Sequence, residues 1–225
     1  MKGLALVCIL TLTAAAAQAV IIDDFQAGEY TLGREGTTPP YTVSGTQYDP
    51  TGLHILGGRR DVELDKQSGS TTQPYCNVMA IEYNGVFGWS TYNSSFGCNA
   101  VWTTTYGGGG DLNADLTVGG ATAILVDVIS GDMYSGPRPV PLTVTVYSGA
   151  GSASATRQLV LENTYEFPFN AFTGVDFRDI DRIVFEIIQD SGVNDAVDFA
   201  LGQFYTNESV VGADESNWGA IKGLY

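Results

Sequence analysis

Leu142-Thr143-Val144-Thr145-Val146 alternates apolar and polar residues with a period of two. That period puts three aliphatic side chains on one face of an extended strand and two threonines on the other. Most of these residues are β-branched, which suits a pleated, half-buried surface. A helix would place its apolar residues three and four apart instead. Leu112-Asn-Ala114-Asp-Leu116 repeats the pattern. Strand-like runs recur on both sides, at Val20–Ile22, Leu53–Leu56, Val62–Leu64, Val78–Tyr83, Ala100–Tyr106, Ala123–Ile129, Thr156–Leu161, Ile183–Ile188 and Val197–Tyr205. Between them lie turn clusters such as Gly57-Gly58, Gly107 to Gly110, Gly119-Gly120 and Ser148-Gly-Ala-Gly151. Many short strands joined by tight turns predict an all-β fold, a two-sheet antiparallel β-sandwich of jelly-roll type.

Composition agrees. Glycine accounts for 28 of 225 residues, about twice its usual share of roughly 7%, as turns between many strands require. Asp and Glu total 25 against 10 Lys and Arg, a formal charge of −15. No basic stripe exists to neutralise phosphates, which argues against nucleic acid or an anionic membrane as a partner. A single histidine, His54, leaves little room for His-ligated metals or Ser/His catalysis.

Residues 1–19 read as a secretory signal peptide. Met1-Lys2 is followed by a short apolar run from Leu4 to Ala17, and Ala17-Gln18-Ala19 supplies a small-x-small cleavage pattern. Cleavage there removes a lysine and no acid, so the mature chain is more acidic still. The expected organisation is a β-sandwich domain over 20–206, then a polar linker and short tail over 207–225 in which Trp218, Ile221 and Leu224 recur at spacing three. The expected location is outside the cytoplasm: extracellular, periplasmic or on the cell surface, with no membrane span in the mature chain. Loss of the leader leaves Cys76 and Cys98, two cysteines expected to form one structural disulfide in an oxidising compartment. A two-residue turn at Asn84-Gly85 would set Cys76 opposite Asn93. A loop centred near Phe87 would set the cysteines opposite each other.

Four stretches carry a family likeness: Val20-Ile-Ile-Asp23-Asp24-Phe25; Gly57-Gly58-Arg59-Arg60-Asp61-Val62; Tyr106-Gly-Gly-Gly-Gly-Asp111-Leu112; and Phe167-Pro-Phe169, Phe172, Val175-Asp-Phe177, Ile180 and Ile183-Val-Phe185. In order and spacing the chain resembles secreted bacterial β-sandwich proteins that often carry a Pro-Glu-Pro sorting tail, a tail absent here. In the second stretch Arg59 stands where those proteins often have an acidic residue. The closing pattern has a looser likeness to carbohydrate-binding jelly-roll modules. Those modules often hold a structural calcium between an acidic residue near the start and one on the last strand. The likeness therefore implies a calcium site at Asp23, Asp24 and Asp198.

Asp111-x-Asn113-x-Asp115 also has the oxygen spacing of half a calcium loop, but Leu116 stands where the turn needs glycine. These side chains equally suit the wet face of a strand whose Leu112, Ala114 and Leu116 point inward. Between Lys66 and Arg138 there is no basic residue, and the same stretch is dense in aromatics. Trp102 and Tyr106 share strand parity, and with Trp89 and Tyr92 they could offer flat faces on which sugar rings stack. The same rings would equally fill a sandwich core. A glycosidase would need two converging carboxylates, for which Glu82, Glu162 and Glu186 are available. Together these readings point to a secreted, non-catalytic protein whose partner is a polysaccharide or cell-surface component. The alternatives are a structural or assembly role in a matrix or envelope, or a glycoside hydrolase or lyase.

Overall fold

The computed structural model describes residues 19–28, 30–33, 38–69, 75–83, 86–93, 97–109, 112–131, 139–160, 162–190 and 197–208. Most of the expected leader, and the tail from residue 209, lie outside them. In chain order the strands are β1 (Ile21–Asp23), β2 (Tyr30–Gly33), β3 (Tyr41–Tyr48), β4 (Arg59–Ser68), β5 (Tyr75–Tyr83), β6 (Val86–Asn93), β7 (Asn99–Tyr106), β8 (Ala123–Gly131), β9 (Val140–Ser148), β10 (Gly151–Leu159), β11 (Asn163–Pro168), β12 (Ile180–Gln189) and β13 (Asp198–Thr206).

They form two layers. One sheet has seven strands in the order β11-β8-β13-β6-β5-β2, with β1 beside β13; the other has six, in the order β10-β9-β12-β7-β4-β3. Every pairing is antiparallel. The expected two-sheet antiparallel sandwich of jelly-roll type is the fold observed. The chain repeatedly crosses between layers, so neither sheet could bury its apolar face without the other.

The deciding segment behaves as its period requires. On β9, Val140, Leu142, Val144 and Val146 are buried, while Pro141, Thr143, Thr145 and Tyr147 face outward. The inner layer continues through Ile183, Phe185 and Ile187 of β12, Ala100, Trp102 and Tyr106 of β7, and Val126, Val128, Phe199 and Leu201 across the gap. Strand β13 is shared along its length. Its first half pairs with β6, and near its end β1 takes over, with Ile21 opposite Tyr205 and Asp23 opposite Phe204.

The cysteines do not pair. Tyr83 faces Val86, and an irregularity between Met79 and Glu82 then shifts the register. Cys76 consequently sits opposite Tyr92 in the seven-stranded sheet. Cys98 leads into β7 of the other sheet and is a buried free thiol. Burial pushes its pKa up to about 11, against the pull of Lys66. The expected disulfide is not formed in this structure, where Cys98 is a free thiol.

Candidate functional site

Strand β4 sorts its charges by side. Arg60, Val62, Leu64 and Lys66 are buried, whereas Arg59, Asp61, Glu63, Asp65 and Gln67 lie on the outer face. The inward cations are the more costly to place, because a charge out of water needs a partner. Arg60 finds one in Asp23: the guanidinium donates from Nη1 to Asp23 Oδ2 with neither side chain exposed. Its other amino group donates to Gln47 Oε1. The Tyr106 hydroxyl donates to the same Asp23 oxygen at 2.6 Å. Burial works against the charge on Arg60, but the Asp23 carboxylate and Tyr106 together hold its pKa above the ordinary value.

The backbone at this junction is shaped for that pair. Asp23 Oδ1 accepts the N–H of Phe25 at 2.8 Å, which holds Phe25 at a φ of 58°, a conformation that costs a bulky residue energy. The Phe25 ring then lies under Arg60, 5.2 Å from ring centre to guanidinium carbon, and edge-on to Phe204. Three stretches that carry the family likeness, those of Asp23, Arg60 and Tyr106, therefore meet in one buried cluster.

Above it lies the outer face of the six-stranded sheet, whose register can be read in rows. One row runs Thr46, Asp61, Thr105, Val184, Thr145, Ser154; the next runs Ser44, Glu63, Thr103, Glu186, Thr143, Thr156. Hydroxyls bond across strands within these rows, Thr143 to Thr156 at 2.9 Å and Thr145 to Ser154 at 2.8 Å. The β3, β4 and β7 part of the face forms a cleft of about 380 Å³ lined by Ser44, Thr46, Asp61, Glu63, Thr103 and Thr105. The acids at and beside it are held in part. Asp61 accepts from Thr46 Oγ1 at 2.6 Å and from Arg59 Nη2 at 2.9 Å, and Asp65 accepts from Thr42 Oγ1 at 2.8 Å.

At one rim, Tyr48 is 63% exposed with the Arg59 guanidinium 5.9 Å from its ring centre. Farther across the same level, Arg182 stacks on Tyr147 at 3.8 Å. The glycine run after β7 fits against this rim. A Cβ on Gly108 would come within 2.4 Å of Asp61 Oδ2, and one on Gly109 within 2.3 Å of Arg59 Nη1. Glycine there lets the Arg59–Asp61 pair lie flat on the backbone.

The expected aromatic platform is corrected. Trp102 is 3% exposed, Tyr106 0% and Tyr92 1%. Tyr92, Trp102 and Phe199 stack on one another in the core, and Trp89 lies half-buried on β6 in the other sheet. Parity does put Trp102 and Tyr106 on one side of β7, but that side is the interior; Thr103 and Thr105 are the residues that face water. The expected calcium ligands are also not brought together. Asp23 is spent on Arg60. Asp24 accepts from Gln26 N–H and faces His54 Nδ1 at 2.9 Å. Asp198 pairs with Asn93, six residues before the Phe204 that faces Asp23, or about 20 Å along the strand. Among the described residues no group of three His, Cys, Asp or Glu side chains is arranged to hold a metal.

In the second calcium candidate, Asp111 lies outside the described residues. Asp115 caps the turn at Thr117 through that residue's hydroxyl and N–H, which lower its pKa. Ala114 and Leu116 are buried and Leu112 packs against the core. Glu82 and Glu186 stand in different sheets, and Glu162 precedes β11. Sequence reasoning missed Tyr48, Asp61 and Glu63, although the alternation Asp61-x-Glu63-x-Asp65 was a legible sign of an acidic outward face.

No helix among the described residues is long and apolar enough to cross a membrane. No protein-family model matches the sequence, and no curated protein matches it. Among solved structures, the chain is similar to the family 30 carbohydrate-binding module of a cellulosomal cellulase of Clostridium thermocellum, with 12% identity and a TM-score of 0.39 over 80% of this chain and 98% of that one. It is similar to the family 11 carbohydrate-binding module from Clostridium thermocellum in complex with a β-1,3-1,4-mixed-linked tetrasaccharide, with 16% identity and a TM-score of 0.34 over 80% and 95%. It is also similar to the enzymatically active domain of tailspike protein 4 of bacteriophage CBA120, with 10% identity and a TM-score of 0.37 over 63% of this chain and 19% of that one.

Proposed function

We propose that the protein is a non-catalytic glycan-binding module working outside the cytoplasm, with its ligand on the outer face of the six-stranded sheet. The observation that carries this reading is the chemistry of the cleft. Ser44, Thr46, Thr103 and Thr105 supply hydroxyls that both donate and accept, and Asp61 and Glu63 supply acceptors in register beside them. A sugar chain presents alternating hydroxyl donors and acceptors with weakly apolar ring faces between them, and such a floor matches it group for group. The exposed Tyr48 ring at the rim offers a surface for one ring face. Thr46 and Asp61 are already held to each other, so at those two groups binding has little ordering cost to offset.

Native affinity electrophoresis through gels containing soluble neutral polysaccharides tests the reading. Retardation by at least one polysaccharide, reduced in Tyr48→Ala and in Thr103→Val/Thr105→Val, is the expected result. Migration unchanged in every gel would overturn it.

A further inference from the structure

The charge of the cleft points to a narrower ligand class, and this step rests on the glycan reading above. The row Ser44, Glu63, Thr103, Glu186, Thr143, Thr156 contains two carboxylates and no basic residue. Glu63 and Glu186 flank Thr103 from the strands on either side, with Cα atoms about 10 Å apart by strand spacing. Among the described residues neither has a hydrogen-bond or ion-pair partner. The neighbouring cations are spent elsewhere. Arg60 and Lys66 point into the core, Arg59 is held by Asp61, and Arg182 is stacked on Tyr147. Asp65 adds a further acid one row away. Glu63 in the cleft and Glu186 just beyond it, one strand past Thr103 in the same row, thus carry charge that the protein leaves uncompensated.

We propose that the cleft takes a glycan bearing free amino groups, an amino-sugar polymer whose protonated nitrogens meet Glu63 and Glu186 while its hydroxyls meet Ser44, Thr103 and Thr105. Ring hydroxyls and ammonium groups then satisfy the two kinds of group the cleft displays. Uronate or sulfated chains are repelled from the same row.

Calorimetric titration of the native protein with glucosamine, N-acetylglucosamine and glucose oligomers of equal length, at mildly acidic pH and in low and high salt, tests this. The glucosamine oligomer is expected to bind tighter than the neutral two by up to about fivefold per carboxylate, as exposed ion pairs allow, with the advantage lost at high salt. In Glu186→Gln the advantage falls while neutral-oligomer affinity and the circular dichroism spectrum stay unchanged, and in Glu63→Gln/Glu186→Gln the advantage disappears. Equal binding of charged and neutral oligomers overturns the amino-sugar assignment and leaves the glycan reading intact. Polylysine that binds as tightly as the glucosamine oligomer also overturns it, showing an unselective acidic surface. If no oligomer binds, the amino-sugar assignment falls, and the glycan reading stands or falls by the affinity gels.

Discussion

Asp23 on the first strand and Arg60 on the fourth form an ion pair from which water is wholly excluded, with Tyr106 donating to the same carboxylate. The pair ties the three-residue strand beside β13 in one sheet to β4, next to the outermost strand β3 of the opposite sheet. It also fixes the side of β4 on which Arg59, Asp61 and Glu63 must emerge.

Removing one partner leaves the other buried and uncompensated. Asp23→Ala or Arg60→Met is expected to lower unfolding free energy by about 3–5 kcal/mol, read from urea denaturation at constant slope. A loss below about 1 kcal/mol in both variants would show that the pair is not what holds β1 down.

Gly58 has a φ of +70°, and a Cβ there would come within 2.8 Å of the Asp49 carbonyl oxygen, which is backbone and cannot move aside. Gly58→Ala is expected to destabilise by more than about 1 kcal/mol. A melting temperature equal to that of the native chain would contradict the geometry.

The lone histidine predicts a pH dependence. His54 Nδ1 lies 2.9 Å from Asp24 Oδ2, and its pKa is raised chiefly by that hydrogen bond, against desolvation and with help from the nearby charges of Asp24, Asp49 and Asp23. A raised histidine pKa contributes stability that is full below the unfolded value of about 6.5 and is lost as pH rises through the folded value. Asp49 does not blur this window. Burial opposes its charge, but hydrogen bonds from Thr51, His54 and Ile55 outweigh that and keep it ionised far below neutrality. Thermal melts are expected to fall modestly from slightly acidic to slightly alkaline pH, and His54→Gln should flatten that fall. An unchanged slope in the variant would remove the pair as its cause.

The free thiol gives another test. Cys98 is buried and its pKa is high, so it is inert as a nucleophile in the folded chain. A maleimide at neutral pH, with labelled sites mapped by mass spectrometry, is expected to miss Cys98 until urea unfolds the protein. Rapid native labelling at Cys98 would contradict its placement.

Much of the fold was legible because period-two patterning is a local property. Leu142 to Val146 shows its buried and exposed faces without reference to any other strand. The aromatic platform failed for a related reason. Parity says that Trp102 and Tyr106 share a side, but which side faces the other sheet depends on partners far away in sequence. On β7 the clues conflict, since Val101 faces outward and Thr104 inward. The acidic stretch between Lys66 and Arg138 drew attention away from β4, where charges alternate in and out. Parity puts Arg60 and Lys66 on the side of Val62 and Leu64, but nothing local provides for a charge there, because their burial depends on Asp23 and on the cross-strand packing of Tyr41 over Lys66. The quoted motifs did point to residues that meet, although the sequence assigned Asp23 to a cation and the structure assigns it to Arg60.

The central claim is that a glycan lies across β3, β4 and β7 on the outward face. Backbone amide shift mapping by NMR, with glucosamine and glucose oligomers as probes, tests it most directly. The account predicts perturbations concentrated at residues 44–48, 61–65 and 101–105 and quiet amides on the seven-stranded sheet. Perturbations clustered on the seven-stranded sheet, or none with any probe, would contradict it.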